Sequence, residues 1–205
     1  MILACNTASA KALRTIQQKD LPEMGMAKRV LGVIRPTTEI IGRFTNKNNV
    51  GILATNGTVQ SGSYVVEIKK FFPEVRVFQQ ACPMWVPLIE NNEHNSPGAD
   101  YFVKEYLGNL FQKSSDIDTV LLGCTHFPLL KTKIEKFLAP GIAVISQGEI
   151  VAKSLVDYLQ RHRDLENKCS KNGQTAFYTT DSADDFDNHA TIFYGSPVKS
   201  LHIDL

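Results

Sequence analysis

Five short apolar runs limit the folds open to this chain: RVLGVI (29–34), VGILAT (50–55), VRVFQQA (75–81), DTVLLG (118–123) and IAVISQ (142–147). Each is largely continuous rather than alternating in polarity. A strand with one face in water alternates, whereas a continuous run suits a strand covered on both faces, as in a parallel sheet. Helical patterns fill the gaps. TASAKALRTIQQK follows Cys5, GTVQSGSYVVEIKKFF follows Thr55, and PGADYFVKEYLGNLFQK occupies 97–113. PLLKTKIEKFL starts at 128 and GEIVAKSLVDYLQRHRD at 148. Strand and helix in alternation predict an α/β fold with crossover connections.

NKNN (46–49), ENNEHNSPG (90–98) and DLENKCSKNGQ (164–174) read as exposed loops. TAFYTT (175–180) reads as a late strand, and ATIFYGSPVKSLHIDL (190–205) as a helix, a loop and a short terminal strand. With 205 residues, 43% of them hydrophobic, the chain can bury a real core in one large domain or two small ones. A net charge of +1 gives no electrostatic footprint for nucleic acid. No apolar run approaches the roughly 18–20 residues of a membrane span. The start lacks the basic region of a secretory signal. Cysteines at 5, 82, 124 and 169 form no CxxC pair and no disulfide framework, so a reducing cytoplasm is the expected setting.

Two segments echo each other. ILACNTASAKAL (2–13) and LLGCTHFPLLKTKI (121–134) each run from an apolar strand through a cysteine and two polar residues into a helix. This suggests two similar α/β units, each offering a cysteine from a strand's carboxyl end, where ligands bind in open α/β sheets. A helix start there attracts anions and lowers a thiol's pKa. Asn6, Thr7 and Thr125 can cap helices or donate to a carboxylate, and His126 can exchange a proton with Cys124. ILATNGTVQSG (52–62) ends a third strand, with Gly57 suited to a tight turn and Thr58 facing the helix start. It lacks the Gly-Lys-Ser/Thr of a P-loop.

Plainer readings stay open on these residues alone. A cysteine at a strand end is commonly a small buried hydrophobe, Asn-Thr after Cys5 is commonly a cap, and His126 can be structural. Metal binding by Cys124 and His126 is disfavoured by the absence of zinc-ligand spacing. Cys82 is expected in the core, and Cys169 as an exposed loop thiol.

Taken together, ACNTAS (4–9), ILATNGTVQSGSY (52–64), VPLIE (86–90), LGCTHFPLL (122–130), SQGEIVA (146–152) and FYTTD (177–181) resemble the glutamate racemases of the aspartate/glutamate racemase superfamily. The resemblance implies two similar α/β domains with mostly parallel sheets and the site in the cleft between them. The first would comprise 1–30 with 147–205, and the second 31–146. It implies cofactor-free interconversion of L- and D-glutamate for peptidoglycan, with no metal. Cys5 and Cys124 would act on opposite faces of the substrate Cα, because inversion needs a base on one face and an acid on the other. His126 and Glu90 would support Cys124. Asn6, Thr7, Thr58, Thr125 and His126 would bind substrate. Glutamate is the expected partner, nucleic acid and membranes are not, and a homodimer is left open. An aspartate or other amino-acid racemase of the same superfamily, and a non-catalytic amino-acid-binding protein, are the alternatives.

Two departures from the family pattern stand out. Phe127 replaces a frequent tyrosine. The α/β segment that precedes the first cysteine in the family, with its Asp-Ser and Tyr-Gly pairs, has no counterpart here. The resemblance therefore implies an N-terminally incomplete first domain, and the expectation is a poorly active, aggregation-prone chain.

Overall fold

The computed structural model describes residues 1–25 and 28–204. They fall into two compact units, Met1–Tyr158 and Leu159–Leu205. Eight strands are present among the described residues: β1 (Ile2–Leu3), β2 (Leu31–Gly32), β3 (Asn49–Ala54), β4 (Arg76–Ala81), β5 (Thr119–Gly123), β6 (Ala143–Ile145), β7 (Phe177–Thr179) and β8 (Ser200–His202).

Four of the five apolar runs form one parallel sheet in the order β4-β3-β5-β6. The central strands β3 and β5 are buried at every residue, which is why their sequences do not alternate. Their side chains still divide with period two between the faces. Leu53, Val120, Leu122 and Cys124 enter a core with Trp85, Leu110 and Phe127. Val50, Ile52, Ala54 and Leu121 enter the opposite core with Tyr64 and Ile68.

The fifth run behaves differently. RVLGVI contributes only Leu31–Gly32, paired parallel to Ile2–Leu3, and a helix begins at Ile34. The ladder is as short as its partner, and Gly32 lies so close to the 6–24 helical segment that a Cβ there would sit 2.6 Å from Leu13 Cδ2. Ser9 ties the pair together: its hydroxyl donates to the Leu3 carbonyl at 3.0 Å and accepts from Val33 N–H at 3.2 Å.

Helices also depart from the expected spans. The first extends beyond Lys19 to Met24 and widens to π spacing over Ile16–Asp20. Pro22 has no N–H for the Gln18 carbonyl, which disrupts regular α spacing there. The helix expected over 57–72 is two, Asn56–Ser61 and Ser63–Phe71, divided by Gly62 at φ +63°. VPLIE lies in a helix, Trp85–Glu90. The segment after Cys124 opens with a 3-10 turn, Phe127–Leu130, before Lys131–Phe137 becomes α-helical. The expected 97–113 helix is present, capped by Ser96, and Gly148–Arg161 forms the next.

In the second unit the loop expected over 164–174 is preceded by a helical turn, Arg163–Glu166, that takes up its first residues. Parallel β7 and β8 flank a helix, Ala183–Tyr194, that begins well before the expected position 190. Ser182 explains the early start, because its hydroxyl accepts from Asp185 N–H.

The amino ends of β3 and β5 are clamped by Asp118. Its carboxylate accepts from the Thr45 hydroxyl at 2.5 Å and from Asn46 and Lys47 N–H at 2.7 and 2.8 Å. Burial pushes this carboxyl up, but those hydrogen bonds outweigh it and hold it below the ordinary carboxylate value. A depressed folded-state pKa gives stability that is full above the unfolded value, about 3.9, and is lost as pH falls through the folded one. Asp118→Asn should therefore lower the unfolding free energy at pH 7 by about 1–2 kcal/mol. Urea titrations should show that deficit shrinking below about pH 4.

Candidate active site

The sheet order locates a crevice. β3 connects onward to β4 on one side, and β5 to β6 on the other. The chain thus leaves the carboxyl ends of adjacent β3 and β5 in opposite directions, and the gap between their loops is where a doubly wound sheet accepts a ligand. Ala54 and Gly123 are paired at that edge. The loops that follow carry Thr55–Thr58 and Cys124–His126.

The segment after β1 joins the same place. Thr7 Oγ1 lies 2.8 Å from Thr55 Oγ1 and 3.1 Å from Thr58 Oγ1, and Thr55 donates to Thr58 at 3.2 Å, closing a triangle of hydroxyls. Thr58 is fully buried beneath the half-buried Thr7 and Thr55. Gly57 is needed for this approach and not for a turn: it lies within a helix, and a Cβ there would sit 2.9 Å from Thr7 Cγ2.

Capping follows another pattern than expected. Cys5 occupies the N-cap position of Asn6–Lys11 without a side-chain cap, and the turn after Cys124 also has none. Asn6, Thr7 and Thr125 therefore cap nothing, whereas Thr55 caps Asn56–Ser61. Asn6 is instead buried and accepts from the Tyr64 hydroxyl at 2.6 Å. Thr125 is exposed.

Cys124 is 8% exposed, against Trp85 and Phe127, whose rings meet edge to face at 4.7 Å. Its Sγ lies 3.9 Å from His126 Nδ1, and His126 Nε2 lies 3.1 Å from Glu90 Oε1. The thiol is not lowered as the helix-start argument expects. Burial pushes it up, the His126 and Phe127 N–H groups pull it down, and negative charge on Cys5 and Glu90 pushes it up again. Burial wins. Cys5 itself is exposed.

Cys82 lies in the core and Cys169 is exposed, as expected, and all four thiols are free. Among the described residues no group of three His, Cys, Asp or Glu side chains is placed to hold a metal ion, and no helix is long and apolar enough to cross a membrane. Tyr64 and Gln147 were not expected at the site. Gln147 Nε2 donates to the Tyr64 hydroxyl at 2.8 Å, a contact between positions 83 residues apart that no local motif announces.

Chemically, the crevice offers two thiols, an imidazole–carboxylate pair beside one of them, and a cluster of uncharged hydrogen-bonding groups. Thiols can donate or accept a proton, and amide and hydroxyl donors can hold a carboxylate.

The chain is similar to proteins of known activity along its whole length. It is 37% identical to the glutamate racemase of Lactiplantibacillus plantarum over 209 residues, covering all of this chain and 72% of that protein. It is 39% identical to the glutamate racemase of Listeria monocytogenes over 207 residues, covering all of this chain and 74% of the other. A glutamate racemase from Bacillus anthracis superposes with a TM-score of 0.86 at 31% identity, covering 100% of this chain and 73% of that one. The Francisella tularensis glutamate racemase, solved with D-glutamate, gives 0.84 at 29% identity, covering 99% and 72%. The family model for Asp/Glu/hydantoin racemases matches residues 1–155, the stretch that holds both cysteine loops and the threonine triangle, and the chain belongs to that family.

Proposed function

We propose that this chain is a glutamate racemase that inverts Cα by proton transfer between Cys5 and Cys124, without a cofactor, in the cytoplasm, and that its D-glutamate serves peptidoglycan synthesis. The division expected from the resemblance, 1–30 with 147–205 and 31–146, belongs to the same reading. The observation that carries it is the meeting of the two cysteine segments at one crevice: Thr7, two residues after Cys5, hydrogen-bonds Thr55 and Thr58 on one wall, and the neighbouring loop carries Cys124 and His126, with Glu90 against His126.

The steps balance. One thiolate takes the Cα proton, and the electron pair of the broken C–H bond moves into the α-carboxylate. The opposite thiol then gives up its proton to the other face of Cα, and the pair electrons return to that new bond. The cysteines end with their protonation states exchanged. Asn6, Thr7, Thr58 and Thr125 supply donors for carboxylates, and donors fixed before reaction stabilise the charge that develops. The reaction starts in either direction from one thiolate and one thiol, and burial favours the thiol form at Cys124. His126, backed by Glu90, helps Cys124 to shed or recover its proton.

Turnover of each enantiomer in deuterium oxide tests the reading. Solvent deuterium should appear at Cα with L- and D-glutamate alike, and aspartate run in parallel tests the substrate. Cys5→Ser and Cys124→Ser should each lower racemisation by about a thousandfold. Intact exchange and turnover in both variants would overturn the two-cysteine mechanism. Because the equilibrium constant of a racemisation is one, Glu90→Gln should lower kcat/KM equally from either enantiomer, by about tenfold or more.

A further inference from the structure

The amide of Asn6, the residue after Cys5, ends a chain of buried hydrogen bonds that begins at a backbone carbonyl. Gln147 is buried, and its Nε2 lies 3.3 Å from the Val33 carbonyl oxygen, 3.2 Å from Thr37 Oγ1 and 2.8 Å from the Tyr64 hydroxyl. A carbonyl can only accept, so the Gln147 atom facing Val33 must be the nitrogen. One of its two protons goes to Tyr64, and the other is shared between Val33 and Thr37. The Tyr64 hydroxyl, accepting from Gln147, has its single proton left for Asn6, 2.6 Å away. That phenol is wholly buried, and burial pushes its ionisation far above the ordinary value, so it keeps the proton. The Asn6 atom facing it must then be the oxygen. The amide's orientation is set, and Nδ2 is its free end. Asn6 is 2% exposed, and Nδ2 has no hydrogen-bond partner among the described residues.

A buried amide nitrogen left without an acceptor is costly, unless a ligand supplies the acceptor. We propose that Gln147 and Tyr64 are positioning residues that lock the Asn6 amide as a pure donor beside Cys5, so that the site selects an acceptor-only group, a carboxylate of the amino-acid substrate, at that position. This rests on the racemase reading for the identity of the ligand but not for the direction of the chain. Without the Tyr64 hydroxyl that hydrogen bond no longer fixes which end of the amide faces the carboxylate.

The test has two arms, on the full chain. In the first, the side-chain amide signal of Asn6 is followed by nitrogen-15 NMR in unliganded protein and identified by its loss in Asn6→Ala. Tyr64→Phe should shift it, and so should Gln147→Ala, which frees the Tyr64 hydroxyl to turn and serves if Tyr64→Phe does not fold. In the second, a double-mutant cycle compares Tyr64→Phe, Asn6→Ala and the pair. Tyr64→Phe should lower kcat/KM by about tenfold or more from either enantiomer. In the Asn6→Ala background it should have no further effect, because Tyr64 acts through Asn6. An unmoved Asn6 signal, or a full Tyr64→Phe penalty in the Asn6→Ala background, overturns the proposal. If the amide signal moves as expected but the wild-type chain neither binds glutamate nor exchanges its Cα proton, the racemase reading fails and the donor lock stands.

Discussion

The pairing of β3 with β5 is the constraint on which the site depends. Parallel register sets Leu53 beside Leu122 and Ala54 beside Gly123, so both strands end at the same level. Their connections then diverge to opposite sides of the sheet. Any chain with this order leaves a crevice between the two loops. Here the loops carry hydroxyls on one wall and a thiol on the other, and the helix after Cys5 closes against them through Thr7.

The balance of forces at Cys124 shows why the site is not a simple copy of its motif. N–H groups at a helix start favour a thiolate, and those of His126 and Phe127 do pull the Cys124 thiol down, although Phe127 N–H is also held by the Cys124 carbonyl at 3.2 Å. The sulfur also ends the alternating row Val120, Leu122, Cys124, which faces a core of Trp85 and Phe127. Removal from water therefore dominates, and the resting thiol keeps its proton more firmly than an ordinary cysteine. A neighbouring imidazole with a carboxylate behind it suits such a thiol better than a helix dipole does, since it can take the proton itself.

Much of this was legible in the sequence, and the illegible parts share a cause. Unbroken apolar runs revealed the sheet, because burial on both faces is a property of each strand's own residues. The two cysteine loops were visible because strand, thiol and helix are contiguous. RVLGVI misled because its strand length is set by a partner only two residues long. The caps misled because Asn6 and Thr7 are claimed by Tyr64 and Thr55, distant in the chain. The roles of Tyr64, Gln147 and Asp118 likewise depend on contacts more than fifty residues away. Local pattern gives each segment its form, but not the segment that will compete for its polar groups.

Period two in β5 has a consequence for how such a protein can change through descent. Cys124 reaches the Trp85 core because it stands an even number of residues from Val120 and Leu122. Inserting or deleting one residue in the strand would turn the thiol to the other side and bring Gly123 or Thr125 to its place. Two changes together would restore the side but shift the thiol along the strand by nearly 7 Å. Drift by small steps in length is thus closed to this strand. Lineages that keep the chemistry must keep its residue count and vary in the loops instead.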